Sequence, residues 1–154
     1  MKRYWLMKSE EDEYSIRDLC RDGVVPWFGV RNYQARNYMR DQMKIDDLVI
    51  FYHSNGKPSG AVGVGKIVSA PYPDETQFDR KSKYYYARAT KEKPVWVLVD
   101  VSYIETFQRL VSIEEMRSHE ELEAMVLLQK GSRLSVSPVT KKEFEYIKTL
   151  SRNK

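Results

Sequence analysis

The sequence predicts an α+β fold, arranged as a compact β-barrel or strongly curved mixed sheet with short peripheral helices. Three observations predict it. Runs of β-favouring apolar residues recur along the chain, the stretches that carry helix-capping patterns are short, and the two do not follow the regular strand–helix alternation of a doubly wound parallel sheet. A single domain over residues 1–154 is expected, since a chain of this length buries a core without covalent staples.

Tyr4 to Met7 reads as a buried first strand, and the polar run Lys8 to Glu13 marks where the chain leaves the sheet. Ser15 with Asp18 forms a capping-box pattern and Gly23 supplies a stop, which predicts a short helix over Ile16 to Arg21. Pro26 and Gly29 bracket Trp27 in a loop. Asn32 caps a helix expected to run to about Met43, with Ala35, Met39 and Met43 on the packing face. Asp46-Asp47 turns the chain into Leu48 to Tyr52, whose continuous apolar character predicts a central strand. A hairpin-type loop follows, then a strand over Gly60 to Val68 whose glycines permit bending. Trp96 to Tyr103 is a further strand and Leu134 to Val139 a closing one. The pairs Ser112/Glu115 and Thr140/Glu143 start helices, and Glu121 to Gln129 reads as another.

Composition narrows the function classes. The formal charge of +4 favours polyanionic partners. Nineteen aromatic residues (eleven Tyr, five Phe, three Trp) exceed what one small core needs, so some rings are expected at a surface or in a pocket. Cys20 is the only cysteine, which excludes an internal disulfide and points to a reducing compartment. The apolar run at the N-terminus is cut at Lys8, too early for a signal peptide, and no stretch approaches transmembrane length. His53, His119 and Cys20 lack metal-ligand spacing, so neither a metal nor another cofactor is expected.

The most informative segment is Trp27 to Arg40, which interleaves rings, side-chain amides and guanidinium groups. That mixture suits a planar base attached to phosphate; the plainer alternative is a tucked-in Trp followed by an amphipathic helix. Gly60 to Lys66 has the spacing of a phosphate-binding loop, but Ile67 replaces the required hydroxyl residue and the context is strand, so it reads as a bent strand. Arg80 to Arg88 again mixes cations with tyrosines, either to contact nucleic acid or to lie over the core. His53 serves most simply as a hydrogen-bonded structural residue, with a ligand-facing role as the alternative. The run Glu10 to Glu13 is a weak candidate for acid–base chemistry, because no nucleophile accompanies it.

Taken in order, Tyr4-Trp5-Leu6-Met7-Lys8-Ser9-Glu10, Trp27 with Gly29 to Asn37, Phe51 to Asn55, Tyr72-Pro73-Asp74 with Gln77-Phe78-Asp79, and Gly131 to Val136 closely resemble the EVE domain, a family that includes the thymocyte nuclear proteins. The resemblance implies a PUA-like fold similar to YTH domains, which read methylated adenine in RNA through an aromatic cage, and it implies recognition of modified bases. Lys8, Ser9, Trp27 and Asn32 would surround the pocket, with Trp27 as stacking wall. Val30, Tyr52, His53, Ser54 and Ser135 complete the expected ligand-binding set, and Arg31, Arg36, Arg40 and Arg133 are the expected phosphate contacts. Glu11 stands where the family commonly has Pro, and Phe28 where an acidic residue is usual.

The expected function is therefore a non-catalytic nucleic-acid-binding module that reads a methylated or hydroxymethylated base flipped into an aromatic pocket. DNA is favoured as partner, with RNA the other candidate and no membrane. The alternatives are a small-molecule or nucleoside sensor, and a base-modifying enzyme with His53 or Glu10 moving a proton. A bacterial cytoplasmic setting is expected, or a nuclear one in a eukaryote. Oligomeric state is open.

Overall fold

The structure, a computed structural model, describes residues 2–153; Met1 and Lys154, the outer bounds of the expected domain, lie outside the described residues. In chain order the strands are β1 (Tyr4–Glu10), β2 (Val24–Pro26), β3 (Leu48–Ser54), β4 (Gly60–Ile67), β5 (Tyr72–Pro73), β6 (Val97–Leu98), β7 (Asp100–Ser112) and β8 (Val136–Val139). The α-helices are α1 (Ile16–Asp22), α2 (Tyr33–Asn37), α3 (Ile113–Arg117) and α4 (Lys141–Arg152).

Six strands form one mixed sheet in the order β2-β7-β4-β3-β1-β8, and β5 pairs with β6 in a separate ribbon. β1 and β3 run parallel, with Trp5 opposite Val49 and Met7 opposite Phe51; the other neighbours are antiparallel. Register shifts between Phe51 and Tyr52, between Ala61 and Gly63, and between Val64 and Gly65 interrupt the ladders of β4. Bulges of this kind bend a strand and increase its twist, which curls the sheet into a half-barrel. Gly63 shows why β4 needs glycine: a Cβ there would stand 2.5 Å from the Glu105 carbonyl oxygen and 2.7 Å from Ile16 Cδ1. The run from Gly60 to Lys66 is thus a bent strand under α1.

Both faces of the sheet are covered, which explains the uninterrupted apolar runs of β1 and β3. Trp5, Met7, Val49 and Phe51 point to the inner cluster with Leu19, Trp27, Ala35 and Met39. Leu6, Ile50 and Tyr52 alternate to the outer cluster with Phe107, Met116, Phe144 and Ile147. The capping patterns at Ser15, Asn32, Ser112 and Thr140 all sit at helix starts, and those at Ser15 and Thr140 are complete capping boxes.

Three elements differ from the sequence expectation. The helix after Asn32 stays α-helical only to Asn37 and continues as a π-helical turn, Tyr38–Gln42, closed by the Met43 N–H donating to the Tyr38 carbonyl; Ala35, Met39 and Met43 nevertheless all reach the core. Glu121 to Gln129 is not a helix but two 3-10 turns, Glu120–Leu122 and Val126–Leu128. Its buried residues Leu122, Met125 and Leu127 do not keep a 3.6-residue spacing, and the Gln129 side chain donates to the carbonyls of Glu123 and Met125. The strand expected from Trp96 breaks at Val99, whose carbonyl turns to accept the Trp27 N–H, and β7 then runs on to Ser112.

Candidate functional site

A cavity of about 620 Å³ opens where β1 leaves the sheet. Lys8, Ser9 and Glu10 line it from the end of β1, Val25 to Val30 from β2 and the segment after it, and Ser135 and Arg133 from the approach to β8. Tyr14 and the Lys83-Tyr84 pair complete the wall. The size matches a small-molecule or base-sized site, and most of its lining surface is apolar with a few polar groups.

The aromatic wall is held from behind by the backbone. Trp27 N–H donates to the Val99 carbonyl at 2.9 Å, and the indole meets Phe51 edge-on at a centroid distance of 5.3 Å. Phe28 follows, half-exposed at the rim and edge-on to Tyr84 at 5.7 Å. Gly29 then adopts φ +89°, and its missing side chain leaves room for the Tyr84 ring, which would lie 2.8 Å from a Cβ. Asp74, fully buried, fixes this turn by accepting N–H bonds from Gly29 (2.8 Å), Thr76 (2.9 Å) and the Arg31 guanidinium (3.3 Å).

Arg31 also donates twice to the Tyr84 carbonyl, at 3.0 and 2.7 Å, so it clamps the long excursion between β5 and β6 against the wall. Gln77 stitches the base of that excursion: its amide nitrogen donates to the carbonyls of Asp74 and Trp96, and its oxygen accepts from the N–H groups of Val95 and Trp96. Across the mouth, Lys83 Nζ pairs with Glu13 at 2.6 Å. In the segment from Arg80 to Arg88, Tyr86 packs edge-on against the buried Trp96, as the core-covering alternative expects, and Tyr84 lines the cavity.

Of the expected ligand-binding residues, Lys8, Ser9, Trp27, Val30, Ser54 and Ser135 line this cavity. Ser9 donates its hydroxyl proton to the Tyr14 carbonyl at 2.8 Å, leaving lone pairs toward a ligand. Burial holds the Lys8 ammonium below its usual pKa, and its Nζ lies 5.9 Å from the Tyr52 ring centroid. Three expected residues lie elsewhere. Tyr52 belongs to the outer core, because side chains alternate along β3. Asn32 uses its side-chain oxygen to cap α2 through the Ala35 N–H and lines a neighbouring groove. His53 is buried, accepting the Ile16 N–H at Nε2 over 3.1 Å, and is absent from the cavity wall.

Burial pushes the His53 imidazole below its ordinary value of 6.5, against a smaller opposing pull from Glu11. The neutral ring is the form that accepts the α1 N–H, so the unfolded chain binds the extra proton first. The resulting stabilisation is complete above 6.5 and is lost as pH falls through the lowered folded value. Urea midpoints at about pH 7.5 and about pH 5 are expected to differ in the wild type and to differ less in His53→Gln. An unchanged difference in the variant would assign the pH response to another group.

Among the four arginines expected at phosphate, only Arg133 lines the cavity, and it makes no ion pair among the described residues. Arg31 donates to the Asp74 carboxylate, to the Thr76 hydroxyl at 3.0 Å and to the Tyr84 carbonyl. Arg36 donates to the Val95 carbonyl and Asn37 and lies over the Tyr33 and Trp96 rings. Arg40 pairs with its neighbour Asp41 on the surface. A guanidinium has five donors in a rigid fork, so it braces backbone carbonyls as readily as it binds phosphate, and residue type does not separate the two uses. Tyr14, Phe28, Tyr84, Glu10, Glu13 and Lys83 join the wall without having been placed in the expected set. Their sequence signals were the aromatic excess, the unusual residue at Phe28, the acidic run Glu10 to Glu13 and the mixture of cations with tyrosines from Arg80 to Arg88.

The family model of the EVE domain matches residues 3–150. Thymocyte nuclear protein 1 of Mus musculus is 38% identical, the alignment covering 97% of this chain and 74% of that protein. The crystal structure of protein PSPTO5229 from Pseudomonas syringae superimposes with a TM-score of 0.93 at 47% identity, covering 96% of this chain and 99% of that one. Human THYN1 protein in complex with 5-methylcytosine-containing DNA superimposes with a TM-score of 0.92 at 36% identity over 99% of each chain. The Mmi1 YTH domain, solved with RNA, shares the fold alone, at a TM-score of 0.55 and 16% identity over 97% of this chain and 77% of that one. The curled mixed sheet with short helices is thus the PUA-like architecture that the sequence resemblance implied.

Proposed function

The chain belongs to the EVE domain family, and from that membership we propose that it is a non-catalytic reader of a modified base in nucleic acid. The observation that carries the reading is the cavity beside Trp27, in which an indole, two tyrosines and a phenylalanine enclose space next to the Ser9 and Ser135 hydroxyls, with Arg133, which makes no ion pair among the described residues, at its edge. The human relative solved with 5-methylcytosine-containing DNA supports it and favours DNA over RNA.

A base flipped from a duplex costs a few kcal/mol, and one aromatic stack returns about 1–3 kcal/mol, so hydroxyl contacts to the base edge and phosphate contacts supply the rest. A buried methyl adds only about 0.8 kcal/mol, which sets modest discrimination between methylated and unmodified base. His53 and Glu10, the groups considered for proton transfer, are held by Ile16 N–H and by the Asn55 amide respectively, which favours binding over catalysis. Residues 1–154 act as one reading unit in this proposal. The proposal places a bacterial member in the cytoplasm and a eukaryotic one in the nucleus; the thymocyte nuclear proteins support the second placement. No helix among the described residues is long and apolar enough to cross a membrane.

Matched oligonucleotides, unmodified or carrying 5-methylcytosine, 5-hydroxymethylcytosine or N6-methyladenine, test the reading by equilibrium binding at two salt concentrations. The expected result is salt-sensitive binding that is tightest for one modification. Equal affinity for all four probes would reduce the interaction to nonspecific attraction, and conversion of any probe would replace the reader with an enzyme.

A further inference from the structure

The base cavity has a polar neighbour that the proposed reading does not use. A groove of about 350 Å³ is lined by Asn32 and Gln34 at the start of α2, and by Gln129, Lys130, Ser132 and Arg133 in the turn before β8; Arg133 lines both it and the main cavity. Its lining contains no carboxylate, whereas the main cavity includes Glu10 and Glu13. Lys130 and Arg133 are exposed and make no ion pair among the described residues, in contrast to Arg31 and Arg40.

Two further groups want a partner. The Ser132 hydroxyl oxygen is shut off from solvent with no hydrogen bond among the described residues, and rotation of its side chain into the groove would give it a partner. Among the described residues Asn32 uses only its side-chain oxygen, as the cap of α2, so its two amide N–H donors are left. Gly131, at φ +79°, makes the turn that brings Ser132 beside the cations, with the Ser132 N–H donating to the Gln129 carbonyl at 3.1 Å. Two cations, an amide and a hydroxyl without an opposing carboxylate match a phosphodiester better than a base edge or a peptide.

We propose that this groove is a second subsite, which holds the phosphodiester on one side of the base seated against Trp27. The inference rests on the base-reading proposal and adds a direction to it: the strand runs past Arg133 into the groove on one side only. Arg133 stands at the junction, where one guanidinium fork reaches the linking phosphate.

The test is an NMR titration of wild type and Lys130→Glu with three probes: the nucleoside 5-methyl-2′-deoxycytidine, and the two dinucleotides that extend it on the 5′ or the 3′ side. Lys130 is exposed and outside the main cavity, so the variant leaves the base site intact. In the wild type one extension, and not the other, is expected to tighten binding about tenfold, and Lys130→Glu to remove that gain while the nucleoside binds as before. Gln34→Ala, on the opposite wall, is expected to reduce the same gain. Nucleoside binding without a gain from either extension overturns the subsite and leaves the base reading standing, as does a gain that survives in both variants. Ribonucleotide versions are expected to gain equally, since phosphate is common to both; a gain confined to one sugar series overturns the phosphate assignment. Failure of every probe to bind overturns both proposals together.

Discussion

Trp27→Ala is expected to destabilise the protein by about 3–5 kcal/mol and to abolish selective binding of a modified base. The indole is only 7% exposed and packs edge-on against Phe51, so truncation opens a void in the inner core as well as removing the wall of the cavity. Loss of binding in this variant alone therefore does not separate stacking from collapse. Trp27→Leu does, because it keeps an apolar filler of the core and removes the flat ring. It is expected to remain folded by urea denaturation and to bind the preferred oligonucleotide about 1–3 kcal/mol more weakly. Wild-type affinity in a folded Trp27→Leu protein would take Trp27 out of the stacking role.

Asp74→Ala should cost about 3–5 kcal/mol, the range for breaking a buried pair from one side. The carboxylate is fully buried and serves three elements at once: the Gly29 turn behind Phe28, the Arg31 guanidinium and the turn at Thr76. Its removal leaves Arg31, 20% exposed at its side chain, without its ion-pair partner and releases the Tyr84 carbonyl clamp. Thermal unfolding should report the loss in stability, and limited proteolysis should show earlier cutting between residues 79 and 90. A loss below about 1 kcal/mol would mean that Arg31 finds other acceptors in the same place. The Tyr72-Pro73-Asp74 and Gln77 signature thus has a physical role as a brace that sets the cavity wall from outside its lining.

Local chemistry was legible wherever a few adjacent residues decide the outcome. Ser15, Asn32, Ser112 and Thr140 each cap the helix expected of them, because a cap needs only its own side chain and the N–H three residues on. β1 and β3 were legible as buried strands from their apolar runs. The stretch from Glu121 to Gln129 departs from its expected helix: its composition suits one, while Leu122, Met125 and Leu127 are placed by the outer core.

By itself the sequence determined the fold class, the helix starts, the buried strands and, through an ordered series of motifs, the family. Tertiary structure alone decided which of the rings and cations face the cavity. Trp27, Tyr14 and Tyr84 come from segments far apart in the chain and converge only when the sheet curls and Asp74 fastens the turn. Arg31, Arg36 and Arg133 carry the same side chain, but the first two face backbone carbonyls of the excursion before β6 and the third faces open space. The charge and donors of an arginine are properties of the residue, whereas the acceptor it meets is supplied by distant chain, and that pairing exists only in the folded protein.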